Sequence, residues 1–80
     1  MTITQFKYVL ALDKFKNFTK AAKACDIAQP TLSMQINKLE KELGVSIFNR
    51  ESKPLETTKI GKKLIDQIEM SLRKSSYLSE

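Results

Sequence analysis

Apolar residues recur along this chain at helical intervals, and residues suited to capping or breaking a helix separate the runs. From Thr4 to about Lys16, Phe6, Val9 and Leu10 are helically spaced, with Asp13 and Lys14 beyond them, which predicts an amphipathic first helix capped by Thr2 or Thr4. Asn17 offers a carbonyl oxygen for an N-cap, and Phe18 to Cys25 reads as a short second helix in which Ala21, Ala22 and Ala24 permit close packing. Asp26, Ile27 and Ala28 form a break. Gln29 and Pro30 then open a third helix, because proline is tolerated in a first turn whose N–H groups lack intrahelical partners. This helix runs to Leu43, with Gly44 as its C-terminal cap.

Leu32, Ile36, Leu39 and Leu43 lie within a narrow arc of the third helix and predict its core face. The opposite arc carries Pro30, Met34, Asn37 and Lys41, flanked by Ser33 and Lys38, with no acid near its centre. Past Gly44 the period changes, and Val45 to Asn49 with Leu55 to Thr57 predict two short strands around a turn of Ser52, Lys53 and Pro54. Thr58 can cap a final helix whose apolar stripe is Ile60, Leu64, Ile65, Ile68 and Leu72, extending toward Tyr77 and Leu78. Gly61 disfavours helix where helix is expected, which predicts close packing at that point.

Composition narrows the functions this pattern can serve. Eighty residues, 41% hydrophobic and 29% charged, make one small domain with a modest core and no room for a large cleft. The longest apolar run, Tyr8 to Leu12, is too short to span a bilayer, and no basic segment leads into an apolar one at the start, so a cytoplasmic location is expected. A single cysteine, Cys25, and no histidine remove paired-cysteine zinc sites and the commonest general base, so neither catalytic residues nor a metal or other cofactor is expected. Fourteen Lys and Arg against nine Asp and Glu give a net charge of +5, a balance that favours a polyanionic partner.

Two helices joined by a three-residue break, followed by a basic two-stranded ribbon, form the pattern of a winged helix-turn-helix: a mostly α fold with a small β-wing, continuing into a long helix. The third helix fits the major groove of B-form DNA, where Gln29, Ser33 and Asn37 offer hydrogen bonds to base edges. Lys53 at the ribbon tip can enter a minor groove. Arg50 has two uses open to it, a phosphate contact or an ion pair with Glu51 or Glu42. Cys25, among alanines, reads as a packing residue. A winged helix that docks another protein without reading sequence is the alternative function.

Specific residues carry a further likeness. Phe18-Thr19-Lys20-Ala21-Ala22, Gln29 through Ile36, Leu39-Glu40-Lys41-Glu42-Leu43-Gly44-Val45, Phe48-Asn49-Arg50, then Thr58 and Gly61, resemble the N-terminal DNA-binding domain of LysR-type transcriptional regulators. The likeness covers about Met1 to Leu72, and Cys25 to Glu40 is similar to the peroxide-sensing OxyR-like branch. It implies a winged helix-turn-helix over residues 1–58 and a linker or dimerisation helix over 59–80, with the effector-binding domain absent and no small molecule bound. It also implies a homodimer through Ile60, Leu64, Ile65, Ile68 and Leu72, possible tetramers of a longer chain, and an inverted-repeat DNA site. Carried over by position, Gln29, Pro30, Ser33 and Met34 face the groove, Thr31 and Lys38 contact the backbone, and Arg50 and Lys53 belong to the wing. Four positions depart from the family pattern. Ala28 replaces a usual capping serine, and Met34 replaces a frequent arginine, favouring contact with thymine methyl groups over guanine. Thr57 replaces a usual leucine, and Pro54 stiffens the wing.

Overall fold

A computed structural model describes residues 1–78, with side-chain surroundings for residues 1–72. Four helices and one ribbon follow in the order α1 (Ile3–Phe15), α2 (Phe18–Ala24), α3 (Gln29–Leu43), β1 (Phe48–Asn49), β2 (Glu56–Thr57) and α4 (Lys59–Leu78).

Local chemistry accounts for each boundary. Thr2 caps α1 in a capping box, its hydroxyl accepting from the Gln5 N–H at 3.1 Å while the Gln5 side chain accepts from the Thr2 N–H at 3.0 Å. Asn17 caps α2 by accepting from the Lys20 N–H at 2.9 Å. That helix closes in a Schellman turn: the Ile27 N–H reaches the Ala22 carbonyl at 3.0 Å and the Asp26 N–H that of Lys23 at 3.1 Å. Asp26 takes the left-handed φ of 57° that this turn needs, a conformation aspartate tolerates better than most residues. Gly44 ends α3 at φ 69°, as its place after Leu43 predicts. Thr58 caps α4, accepting from the Gly61 N–H at 3.0 Å and donating to the Ser46 carbonyl at 2.6 Å.

Helices α1, α2 and α3 enclose Val9, Leu12, Ala21, Ala22, Leu32, Ile36 and Leu39, and the ribbon segment adds Ile47, Phe48 and Leu55. Ala21 and Ala22 are buried, which fits the close approach their small side chains allow. Three expectations about the apolar pattern need correction. Leu43 is 40% exposed at the end of α3, where it lines an open groove with Val45 and the start of α4 and is not enclosed by the core. On α1 the fully buried residues are Val9 and Leu12, and the third inward position is Gln5, whose amide donates across to the Gln35 side chain on α3 at 3.4 Å. The strands are two residues each, paired antiparallel as Phe48 with Thr57 and Asn49 with Glu56.

Helix α4 begins at Lys59, and its first turns belong to the same core as the other helices. Ile65 joins the core cluster, and a Cβ on Gly61 would overlap the Ile47 carbonyl oxygen and lie 3.0 Å from the Thr57 methyl. Close packing at Gly61 is therefore realised against the base of the wing.

Candidate nucleic-acid interface

The residues expected to meet DNA form one outward face. Gln29, Pro30, Thr31, Met34, Asn37 and Lys38 are exposed on α3, with Ser33 half-buried beside them. Met34 stands out at 59% exposure as the large apolar side chain of this polar surface. Ala28 supplies no side-chain hydrogen bond at the N-terminus of α3, which leaves that end of the helix dipole open to an anion.

The acid at the edge of this face, Glu40, is turned away from it. Its carboxylate points at the chain beyond the helix, accepting from the Ile47 N–H at 2.7 Å and from Arg50 at 2.9 Å. The ion pair of Arg50 is thus with Glu40, and neither Glu51 nor Glu42 fills that role, because the reversal at Gly44 brings the wing back over the previous turn of α3. The Arg50 guanidinium also stands 5.5 Å from the centre of the Phe18 ring on α2. Lys53, at the wing tip, is exposed and has no ion pair among the described residues. The Lys53–Pro54 peptide bond is cis.

A second polar cluster holds the other strand. Thr57 is buried, and its hydroxyl donates to the Asp13 carboxylate at 2.5 Å while accepting from the Lys16 ammonium at 2.9 Å. Lys16 also donates to the Asp13 carbonyl at 2.7 Å and carboxylate at 2.8 Å, and these bonds hold it at the left-handed φ of 53° that ends α1. Burial raises the pKa of Asp13, but the hydrogen bonds from Lys16 and Thr57 and the charges of Lys16 and Lys62 outweigh it and leave the carboxyl below its ordinary value. Threonine in place of leucine at 57 thus trades an apolar contact for a link between α1 and the wing.

The stripe on α4 divides in two. Ile65 and Ile68 are only 4% and 3% exposed within a single chain, so within it they pack inward. Ile60 is 48% exposed, Leu72 is exposed and Leu64 half-buried. Ile60 and Leu64 line an apolar groove of about 310 Å³ with Leu43, Val45 and the edges of Lys63 and Gln67. The extension of the stripe to Tyr77 and Leu78 lies outside the residues whose side chains are described.

Cys25 is half-buried beside Thr4, Lys7, Tyr8 and Ala11. Burial pushes its thiol pKa up against the opposing charge of Lys7, which disfavours the reactive thiolate. Among the described residues no cluster could hold a metal ion, and no helix is long and apolar enough to cross a membrane.

Pattern reading missed Glu40, Phe18, Gln5 and the Asp13–Lys16–Thr57 cluster as architectural residues. A signal existed for Glu40 alone, an acid one helical turn before a terminating glycine, where the returning chain presents N–H groups.

Comparison with known proteins gives a consistent answer. The model of the bacterial regulatory helix-turn-helix protein, lysR family, matches residues 3–62. The hydrogen peroxide-inducible genes activator of Haemophilus influenzae is 42% identical over 80 residues, all of this chain and 27% of that protein. The chain therefore spans about a quarter of the length of that curated relative. Among solved structures, the BenM DBD–benA site 1 DNA complex is 36% identical with a TM-score of 0.88, covering 99% of this chain and 90% of that one. A full-length OxyR variant from Pseudomonas aeruginosa is 35% identical with a TM-score of 0.86, covering 99% of this chain and 27% of that one.

Proposed function

Because this chain belongs to the LysR family of bacterial helix-turn-helix regulators, we propose that it is a cytoplasmic sequence-specific reader of double-stranded DNA. Helix α3 enters the major groove and the wing reaches the neighbouring minor groove. The observation that carries this reading is the exposed face of Gln29, Pro30, Met34, Asn37 and Lys38, free of acids because the one at its edge is held elsewhere. Gln29, Asn37 and the half-buried Ser33 supply hydrogen bonds to base edges, Met34 an apolar contact to thymine methyls, and Thr31 and Lys38 contacts to phosphate. Lys53 supplies an exposed cation at the wing tip. The BenM complex, with DNA in the structure and the same fold over nearly its whole length, supports the assignment.

The pairing surface that fits best is narrower than the full apolar stripe. Ile60 and Leu64, with Leu43 and Val45, present an apolar groove on α4 that a second copy would cover, giving a two-fold dimer and an inverted-repeat site.

The test is affinity for duplexes selected from a random pool against unselected duplexes, across salt concentrations. A DNA reader shows a preference of at least about a thousandfold and a steep log-log salt dependence. Steep salt dependence without preference refutes sequence reading, and absence of binding favours a protein-docking winged helix. Ile60→Glu should give a folded monomer by sedimentation with weakened affinity for the inverted repeat. A wild-type chain that stays monomeric on such DNA refutes the pairing.

A further inference from the structure

Glu40 gathers nearly all the hydrogen bonds between the end of α3 and the wing. Its carbonyl accepts from the Gly44 N–H at 2.9 Å and the Val45 N–H at 3.2 Å. Its carboxylate accepts from Ile47 N–H at 2.7 Å, from Phe48 N–H at 3.3 Å and from the Arg50 Nη2 at 2.9 Å. The Glu40 side chain is 14% exposed, so its bonds to the Ile47 and Phe48 N–H groups are partly shielded from water, while Arg50, 38% exposed, closes the pair from the solvent side. Arg50, which follows β1 directly, completes the arrangement with its guanidinium over the Phe18 ring, 5.5 Å from its centre, so one side chain ties the end of β1 to both α2 and α3.

This geometry does not suit a phosphate anchor. A cation whose charge is balanced 2.9 Å away attracts a phosphate less than a lone one, and a guanidinium that stacks and pairs is held in one orientation. We propose that Glu40 and Arg50 are positioning residues. They set the wing at a fixed angle to α3, so that Lys53 meets the DNA when α3 is seated in the major groove. This inference rests on the DNA-binding reading.

Sign separates it from the alternative in which Arg50 grips phosphate. If Arg50 were a phosphate contact, Glu40→Gln would release its charge and strengthen binding, Arg50→Lys would keep most of the affinity, and Arg50→Ala would lower the salt slope by about one. A positioning pair gives the reverse: Glu40→Gln and Arg50→Lys each weaken binding to a selected duplex by about tenfold while the salt contribution of Arg50 itself is absent. The effect of Lys53→Ala, measurable in the wild type, should vanish in the Glu40→Gln background, because a misplaced wing no longer delivers that lysine. Hydroxyl-radical footprints should lose the protection flanking the α3 site and keep the protection within it. Tighter binding by Glu40→Gln, or Arg50→Lys at wild-type affinity, overturns the proposal. Should Glu40→Gln fold poorly, Arg50→Lys and its footprint decide the question alone. If wild type shows no duplex preference at all, the DNA-binding reading fails first and this inference with it, an outcome recognisable before any variant is made.

Discussion

Gly61→Ala is the perturbation that best measures how α4 is joined to the wing. In an exposed helix this change should stabilise by about 1 kcal/mol, because alanine is the better helix former. Here the new methyl would collide with the Ile47 carbonyl oxygen, and it would stand 3.1 Å from the carbonyl carbon and 3.0 Å from the Thr57 methyl. A backbone carbonyl cannot rotate aside as a side chain can, so α4 or the wing base must move. Overpacking of this kind costs about 1 to 3 kcal/mol. The same carbonyl accepts from the Thr58 N–H at 2.9 Å, and displacing it weakens a bond worth about 1 kcal/mol. Setting these costs against the helix gain leaves a net destabilisation of about 1 to 3 kcal/mol, or a fall in Tm of roughly 10 °C for a domain of this size. Gly44→Ala is the control: nothing lies within 4 Å of its added Cβ, so only the left-handed φ of 69° opposes it, at about 1 to 2 kcal/mol. Urea melts of both variants give the comparison. A Gly61→Ala protein as stable as wild type would refute the reasoning, showing that α4 can slide away from the wing without loss.

Lys53→Ala should lower affinity for a selected duplex and reduce the log-log salt slope by about one if the side chain neutralises a phosphate, or change A/T preference if it reads the minor groove; isotherms at several salt concentrations read both. Asp13 is held below its ordinary pKa of 3.8, so its contribution to stability is present above that value and is lost as pH falls through the lower folded value. Asp13→Asn should therefore lower the urea midpoint at neutral pH and flatten its decline in acid, and an unchanged pH profile would remove Asp13 from the account. Cys25→Ala should leave DNA affinity the same in oxidant and reductant, measured by fluorescence anisotropy. A redox response that disappears in this variant would make the thiol a switch.

Helices were legible in the sequence because their ends are written in side chains. Asn17, Gly44 and Thr58 each cap or terminate the helix where the pattern places them. The ribbon was less legible for a reason specific to this fold. Strand periodicity predicted five residues before the turn, yet the N–H groups of Ile47 and Phe48 are taken by Glu40 and the carbonyl of Ser46 by Thr58. Side chains here do what a ladder would do, and no local pattern announces it. The α4 stripe was legible in a different way. A run of apolar residues says that a face is buried without saying against what, and Ile65 and Ile68 turned inward while Ile60 faced out. Face assignments on α3 were readable because the core residues Leu32, Ile36 and Leu39 define the opposite arc on their own.

The two strands of the wing are each held by a carboxylate from a different helix, and this explains how a basic DNA-facing surface can coexist with a structured wing. Glu40 on α3 receives β1 through backbone N–H groups, and Asp13 on α1 receives β2 through the Thr57 hydroxyl. Each also binds a cation, Arg50 or Lys16, so neither adds net negative charge near the duplex. A free carboxylate at the edge of α3 would repel any phosphate that approaches within the screening length at physiological salt, about 8 Å. Engaging it with amides and a guanidinium removes that repulsion and orders the wing by the same bonds. The exposed cations of this surface, Lys38 and Lys41 on α3 and Lys53 at the tip, are then the groups through which salt dependence should act. Removing any one of these charges should therefore lower the log-log salt slope by about one, whereas removing the charge of Arg50 should weaken binding without changing that slope.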